Sequence, residues 1–409
     1  MARKRTILIY YSHKETLGHT TRVAAIAGAL AKDHGRSINL HILQGGAPQP
    51  YIRFPGPARV IDLPHPFDTR ASFKGIREMR YVAERARCIL ENTRRILPDI
   101  FVTEFFPFGR LNYMPELMPT LQYLRRRNVS IYASIGYPLL INLVNLKEAK
   151  FRDMLGRLIS LYDKVLIHTP PGLEEPYVAK TIASPELRQL YRQFFDTIKN
   201  KIVHTGYVMP GAILKNTRPL PPAAAPCQHT VIVSRGGGAV YPKVILNAIR
   251  AQAILGNAYR FIIACGPATS PEEQKLFDLY LKQHGTDHVV LSDHIPDFGE
   301  LLATCDVSIS LGGYNTTVQL MRAGTRAIII PHHIKNAPVA TTDQLARARL
   351  MAEHFKSIII PYEDLTPARL ARAVTRQCQA SRPAPAPAAW FCGAMTSANI
   401  LMKSNPDKS

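Results

Sequence analysis

Two glycine-rich turns, each lying between a strand-like run and a helical stretch, have the residue pattern best suited to bind an anion. The first is Arg235-Gly-Gly-Gly238 after Thr230–Ser234, and the second is Gly312-Gly313 after Val307–Ser310. At a helix N-terminus behind such a turn, bare backbone N–H groups and the positive end of the helix dipole can meet phosphate oxygens. The alternative is a plain strand-to-helix turn, because neither a Walker A motif nor GxGxxG is present.

The second turn is followed at once by polar residues, Asn315, Thr316 and Thr317. Two hydroxyl groups and several N–H groups would therefore converge on one helix N-terminus. This combination predicts a diphosphate site that needs no metal ion. Helix capping by one of these side chains is the alternative interpretation, but the additional pair of glycines favours the anion site.

A further polar pair, Asp343 and Gln344, opens a helical stretch that follows the apolar run Ala327–Pro331. A carboxylate and an amide at this position offer acceptors and donors that suit sugar hydroxyls. The pair by itself is weak evidence, since acidic residues are common at helix N-termini. Its place after the two glycine-rich turns is what makes it a candidate.

His19 and Glu104 compete for the role of general base. His19 follows the strand-like residues 6–11 in an expected loop, where a neutral imidazole could take the proton of an acceptor hydroxyl at pH 7. Glu104 ends the run Ile100–Thr103 and lies in a phenylalanine-rich segment, which should raise the pKa of its carboxyl group. A structural histidine and a Glu104–Arg110 ion pair are the alternatives, and we prefer His19 as the base.

Strand-like and helical stretches alternate along the chain, which favours parallel sheets with helices on both faces. The strand, turn and helix of residues 6–32 return as a pattern at 230–255. We therefore predict an α/β protein with two Rossmann-like, doubly wound domains, whose ligands bind beyond the carboxyl ends of the strands. Besides those already mentioned, the predicted strands are Asn39–Leu43, Ser130–Ser134, Lys164–His168, Tyr259–Ala264 and Val289–Leu291.

The length of 409 residues also suits two domains with a cleft between them. Residues 207–227 are rich in Pro and Ala and are predicted to be the linker between an N-terminal domain, 1–206, and a C-terminal domain, 228–380. Residues 381–409 combine a second Pro/Ala-rich segment with a last helix, for which we consider packing back against the N-terminal domain.

Bulk composition is that of a folded globular protein, with 46% apolar and 20% charged residues. No run approaches the ~18 to 20 apolar residues of a membrane span, and the first residues do not resemble a signal peptide, so we expect a cytoplasmic protein. The six cysteines form no CxxC pair. This scatter argues against disulfides and a zinc site, and we expect no cofactor.

The net charge of +21 implies an anionic partner. Nucleic acid is disfavoured because no basic-aromatic ladder is present. A phosphorylated substrate and an anionic membrane surface stay open, the latter as peripheral attachment to the inner face of the membrane. One group of basic residues is interleaved with glutamates and is expected on a solvated helix face: Lys74, Arg77, Arg80, Arg85 and Arg87.

Together these parts resemble the nucleotide-sugar domain of GT-B glycosyltransferases. The resemblance rests on the glycine-rich turn, Gly-Gly-Tyr-Asn-Thr-Thr (312–317), Ala-Gly-x-x-Ala-Ile-Ile-Ile-Pro (323–331) and Asp-Gln-x-x-Arg-Ala (343–348). It points to the peptidoglycan N-acetylglucosaminyltransferases that form lipid II. It also points to a bacterial group of predicted glycosyltransferases, and the segment Leu17–Arg22 resembles this group as well. It implies metal-independent transfer of a hexosyl-type sugar, with inversion, from a nucleotide-diphosphate donor, UDP being favoured. The acceptor would be a small-molecule or lipid-linked hydroxyl.

The resemblance also implies which residues hold the donor. The diphosphate would lie at Gly236, Gly237, Gly312, Gly313, Asn315 and Thr316. Backbone near Ile295 would contact the nucleobase, and Gln319, where relatives often have Glu, would face the ribose. Asp343 and Gln344 would hold the donor sugar, while His19 and Glu104 would serve catalysis.

Two other functions remain open at this stage. A GT-B type nucleotide-sugar epimerase would bind the same donor, but it needs several acidic residues around the sugar, and residues 331–344 contain only Asp343. A non-catalytic binder of anions or nucleic acid is suggested by the net charge alone.

Overall fold

The chain divides into two units in the computed structural model. It describes residues 3–12, 18–46, 52–64, 76–136, 143–210, 227–237, 241–293, 295, 297–332 and 343–403. Unit 1 comprises residues 1–14, 19–213 and 389–409, and unit 2 comprises residues 15–18 and 214–388. Each unit contains its own sheet and its own apolar core.

Every strand pairing in the described residues is parallel. In chain order the strands are β1 (Arg5–Ser12), β2 (Ile38–Gly45), β3 (Ala58–Asp62), β4 (Ile100–Glu104), β5 (Ser130–Ile135), β6 (Lys164–Ile167), β7 (Ile202–His204), β8 (His229–Ser234), β9 (Tyr259–Ala264), β10 (Val289–Ser292), β11 (Val307–Ser310), β12 (Ala327–Ile329) and β13 (Ile358–Ile359).

Helices connect these strands. They are α1 (Gly18–His34), α2 (Ile76–Ile96), α3 (Met114–Arg126), α4 (Ala149–Ser160), α5 (Glu175–Thr181), α6 (Pro185–Ile198), α7 (Pro242–Leu255), α8 (Pro271–His284), α9 (Phe298–Thr304), α10 (Tyr314–Ala323), α11 (Gln344–Phe355), α12 (Pro367–Gln379) and α13 (Gly393–Lys403). Within the described residues, none of these helices combines the length and the apolar character required to cross a bilayer.

The order of strands reverses once in each sheet. The first sheet has the order β3-β2-β1-β4-β5-β6-β7, and the second has the order β10-β9-β8-β11-β12-β13. From β1 the chain adds β2 and β3 on one side, and it then returns to add β4 to β7 on the other side of β1. In the second sheet, β8 and β11 repeat this arrangement. Ligands of doubly wound sheets bind at such a reversal, beyond the carboxyl ends of the two central strands.

Sequence periodicity explains the core of unit 1. Alternate residues of β1, Ile7, Ile9 and Tyr11, face one apolar cluster, and α1 contributes residues at helical spacing, such as Val23 and Ala27. The same cluster contains residues of α13, and Arg5 donates a hydrogen bond of 3.3 Å to the Leu401 carbonyl. The last helix is therefore part of unit 1.

Unit 2 repeats this construction. Val231 and Val233 of β8 alternate in the same way, and they pack with residues of β9 and β11 and with the apolar faces of α7 and α12. Both central strands, β8 and β11, are buried over most of their length, as expected for strands covered on both faces.

The predicted fold class, two Rossmann-like parallel α/β domains, is confirmed. The sequence analysis missed β3, β7 and β13, which all lie at sheet edges. β3 is mostly exposed, and β7 and β13 have only three and two residues, so none of them forms a long buried run. Of the predicted linker, residues 211–226 lie outside the described part, and Tyr207 and Val208 are buried in unit 1.

One prediction for α2 is wrong in part. Arg87 is exposed, but Arg85 is buried and pairs with Glu116 of α3, its Nη2 donating to Oε1 over 2.9 Å. Arg85 Nη1 also donates to the Pro64 carbonyl over 2.8 Å, and the Tyr10 hydroxyl donates to Glu116. This buried group of charges joins α2, α3 and β1.

We expect Arg85→Ala to destabilise the protein by about 3–5 kcal/mol, because it leaves the buried Glu116 carboxylate without its cation. Arg87→Ala on the same helix is the matched control. It removes an exposed pair with Glu91 and should cost less than about 0.5 kcal/mol. Urea unfolding of both variants measures the difference, and equal midpoints would contradict this account.

Candidate functional site

Unit 1 brings its two candidate bases together. His19 lies in α1, directly after β1, and Glu104 is the last residue of β4, the neighbour of β1 at the reversal. The ring nitrogen Nδ1 of His19 is 3.0 Å from Oε1 of Glu104. The two residues, treated as competitors in the sequence analysis, are thus one hydrogen-bonded pair.

Glu104 is deeply buried, and its side chain is 1% exposed. Burial alone would raise the pKa of this carboxyl group, but the guanidinium of Arg22 and the hydrogen bond with His19 outweigh it and hold the pKa at about 2. The prediction of a raised pKa for Glu104 is therefore wrong. An ionised carboxylate suits an orienting partner of a histidine better than a general base.

His19 is the member of the pair that reaches the surface, with a side chain 13% exposed. It lies in the first turn of α1 and not in the loop predicted for it. Burial lowers its pKa from 6.5, while the Glu104 carboxylate opposes this shift. The ring packs edge-on against Phe105 at 5.2 Å between centroids. At neutral pH the imidazole is thus uncharged and can accept a proton.

A second histidine near this pair has a different character. His168 follows β6 and is fully buried, with Ser134 Oγ at 2.8 Å from Nε2 and Thr205 Oγ1 at 2.8 Å from Nδ1. Burial, reinforced by the charge of Arg22, lowers its pKa to about 3. His168 is therefore a neutral structural residue that links β5, β6 and the segment after β7.

Unit 1 also contains a groove of about 460 Å³ between α3 and α4. Its lining is apolar at Met114, Met118, Met154, Leu158 and Leu161, and Gln122, Lys150, Asp153 and Arg157 add polar groups. Both helices connect parallel strands, so each begins at the carboxyl edge of the sheet. Sequence analysis did not find this groove, because its residues belong to two helices with no motif in common.

In unit 2 the glycine-rich turn after β8 is held by a buried arginine. The Arg235 guanidinium points into the unit, where Nη1 lies 3.0 Å from Oε1 of Glu273 and Nη2 donates to Thr269 over 2.9 Å. Gly236 has φ 83°, which favours glycine, and its N–H donates to the Ser234 hydroxyl over 3.2 Å. Gly236 is exposed and Gly237 half-buried, while Gly238 lies outside the described residues.

The second turn, after β11, forms the N-terminus of α10. Gly313 is the N-cap residue, so the N-cap position itself has no side chain. Thr317 turns back onto the Gly313 carbonyl, its hydroxyl donating over 2.9 Å. Asn315 and Thr316 are half-buried in the first turn, and neither is the N-cap residue that the alternative interpretation required. A glycine at the start of a helix leaves room for an anion at the positive end of the helix dipole.

The start of α11 supports this turn. Arg347, which is buried, donates from Nε to the Gly312 carbonyl over 3.1 Å and forms an ion pair with Asp343. Gln344 accepts a hydrogen bond from the His332 N–H over 3.0 Å. Asp343 and Gln344, predicted to hold the donor sugar, thus also organise the turn, and the Asp343 side chain is still 36% exposed.

The remaining predicted residues lie around these turns. Gln319 is half-buried in α10, and its amide lies near Gly299 of α9. Ile295, in the segment after β10, is buried. The glycine-rich turns follow the adjacent strands β8 and β11, so the sheet places them at one reversal of strand order. Residues 333–342 of the predicted donor loop lie outside the described residues.

Most of unit 2 is similar to a known protein family. Residues 231–390 match the glycosyltransferase family 28 C-terminal domain, and this match supports glycosyl transfer as the activity. No curated protein matches the chain.

Solved structures of low sequence identity share the fold. The glycotransferase of kitacinnamycin has a TM-score of 0.62 at 14% identity, with 98% of this chain and 99% of the other covered. CalG4, the calicheamicin glycosyltransferase, has 0.55 at 16% identity, with 100% and 96% covered. UGT71G1 of Medicago truncatula, complexed with UDP-glucose, has 0.56 at 12% identity, with 98% of each chain covered. The chain therefore has the GT-B fold, as its sequence predicted, and resembles glycosyltransferases of that fold.

The backbone of Gly312 leads to a prediction. Its φ is 78°, and a Cβ atom there would lie 2.9 Å from Cγ2 of Ile329, so we expect Gly312→Ala to destabilise the protein by about 1–3 kcal/mol. Gly313→Ala is the matched control, since a Cβ atom at this neighbour meets nothing within 4 Å. Thermal unfolding compares the two, and a control as unstable as Gly312→Ala would contradict the argument.

Proposed function

We propose that the protein is a glycosyltransferase that moves a hexosyl-type sugar from a nucleotide-diphosphate donor, UDP being favoured, to an acceptor hydroxyl. Transfer would proceed by direct displacement with inversion, without a required divalent cation. The observation that carries the proposal is the His19–Glu104 pair at the strand reversal of unit 1, with Nδ1 and Oε1 3.0 Å apart. The family 28 match of unit 2 supplies the reaction class.

The hydrogen bond between His19 and Glu104 indicates which nitrogen of His19 would act as the base. Because the Glu104 carboxylate accepts from Nδ1–H, the lone pair of His19 is on Nε2. Nε2 takes the proton of the acceptor hydroxyl while its oxygen forms the new bond to the anomeric carbon. The bond from that carbon to the donor's phosphate oxygen breaks, and the nucleotide diphosphate leaves with the electron pair. Glu104 then stabilises the imidazolium.

Unit 2 would bind the donor by its backbone. The first turn of α10 and the turn at Gly236 and Gly237 would contact the diphosphate, and the positive end of the α10 dipole would offset the charge that develops as it leaves. Asp343 and Gln344 would contact the sugar, Ile295 the base and Gln319 the ribose. A neutral Gln319 donates and accepts hydrogen bonds without a charge of its own.

His19→Ala should lower kcat by about 10² to 10⁴, because the acceptor hydroxyl loses its base. The donor affinity, measured with the full chain in EDTA, should stay within about twofold, since the change is confined to unit 1. Glu104→Gln keeps the size of the side chain and should lower kcat less. It should also move the acid limb of the kcat/KM profile to lower pH, because the carboxylate raises the His19 pKa.

Three results would count against this proposal. Full activity of His19→Ala would remove its role as base. Donor binding that requires Mg²⁺ would contradict the backbone site in unit 2. Full activity of His19→Ala combined with complete loss in Glu104→Gln would reverse the assignment of the base.

The groove between α3 and α4 supports an amphiphilic acceptor attached to an anionic membrane surface. Three methionines and two leucines offer a flexible apolar lining, and the cations Lys150 and Arg157 outnumber the carboxylate of Asp153. A lipid-linked acceptor has the complementary chemistry, an apolar chain with a phosphate head. Each Lys or Arg near such a surface contributes about 1 kcal/mol.

Flotation with vesicles tests this part of the proposal. The full chain should float with anionic phosphatidylglycerol vesicles and less with neutral phosphatidylcholine vesicles. Met118→Asp should reduce flotation by about tenfold, because a charge enters the apolar lining. Met395→Asp is the matched control, since Met395 is exposed on α13, outside the groove. Equal recovery with both vesicles, or equal loss in both variants, would end this idea.

A further inference from the structure

We propose that Arg22 is a positioning residue that keeps Glu104 ionised and fixed for its hydrogen bond with His19. The inference rests on the proposed function in so far as His19 is the base. In this account Arg22 contacts no substrate atom, and its effect on catalysis comes chiefly from its contact with Glu104.

The geometry of α1 puts Arg22 beside the pair. Arg22 lies three residues after His19, so both side chains leave the helix on the same side. Its Nε donates to Oε1 of Glu104 over 2.9 Å, and its Nη2 donates to the same oxygen. Oε1 thus accepts from both His19 and Arg22, while Oε2 is buried with no hydrogen-bond partner among the described residues.

Arg22 is buried like Glu104, with a side chain 5% exposed. A Cβ atom at Gly136, just after β5, would lie 2.3 Å from Nη1 of Arg22. Glycine at this position therefore makes room for the guanidinium. A surface arginine that captures an anionic ligand would need no such space, so burial favours a role toward Glu104.

Charge explains why the pair needs this cation. A buried carboxylate with no cation takes up a proton, and a protonated Glu104 could not stabilise an imidazolium. Among the described residues, Arg22 acts on both Glu104 and His19, Arg110 acts on His19, and His168 is neutral. Removing Arg22 takes the cation from Glu104 and should raise the pKa of its carboxyl group.

The first experiment measures this coupling without any substrate. The Glu104 carboxyl group is titrated by carbon NMR in the full chain, its signal being assigned from its absence in Glu104→Gln. Arg22→Met should raise the pH at which Glu104 takes up its proton by about one to three units, whereas Arg22→Lys, which keeps the charge, should shift it less. An unchanged midpoint in Arg22→Met would overturn the proposal.

Gly136→Ala provides a variant that keeps every charge. The added methyl group displaces the guanidinium, and the Glu104 midpoint should rise in the same direction as in Arg22→Met. Gly156→Ala is the matched control, because a Cβ atom at Gly156 of α4 meets nothing within 4 Å. A shift in this control equal to that in Gly136→Ala would mean that the change is not transmitted through Arg22.

The second experiment is a double-mutant cycle on transfer. If Arg22 acts chiefly through Glu104, Arg22→Met should lower kcat by a smaller factor in the Glu104→Gln background than in the wild-type protein. The double variant leaves no buried unpaired carboxylate, so it also protects the test against misfolding. Additive losses would overturn the proposal.

The two readouts separate this inference from the function on which it rests. A Glu104 titration shifted by Arg22→Met in a protein without transfer activity would leave the role of Arg22 in place and reject the proposed function. Transfer that depends on His19, together with an unshifted titration in Arg22→Met, would keep the function and reject the role of Arg22.

Discussion

The reversal of strand order in each sheet is the constraint on which the rest of the molecule depends. In unit 1 it makes β1 and β4 neighbours, and in unit 2 it makes β8 and β11 neighbours. Parallel strands place all their carboxyl ends at one edge of the sheet. At the reversal, the connections that follow the two central strands lead to opposite sides of the sheet. Residues about 85 positions apart, His19 and Glu104, can meet only because of this reversal.

Buried charge is used in the same way at two places in unit 1. Glu104 pairs with Arg22 close to the candidate site, and Glu116 pairs with Arg85 between α2 and α3. In both cases one carboxylate holds several donors and the pair joins different elements. Such pairs cost free energy to desolvate, so they specify geometry more than they add stability. At Glu104 the specified geometry is that of its hydrogen bond with His19.

Unit 2 relies on backbone where unit 1 relies on side chains. Arg235 and Arg347 are buried and hold the two glycine-rich turns from behind, by contacts to Glu273 and to the Gly312 carbonyl. In the turns themselves Gly236 is exposed, and Gly237 and Gly313 are half-buried. An arrangement of this kind fits an anion that is held by dipoles, while the cations maintain the shape of the site without entering it.

The sequence by itself determined the parallel α/β class, the two domains, the central strands and the glycine-rich turns, because apolar periodicity and glycine spacing are local properties of the chain. The edge strands β3, β7 and β13 escaped it, since strands with one neighbour need no continuous apolar run. Only the tertiary structure decided that His19 and Glu104 are partners, that Arg22 reverses the expected pKa shift of Glu104, and that Arg85 is buried. Ionisation depends on which charges lie within a few ångströms, and that distance is set by the fold rather than by neighbours along the chain.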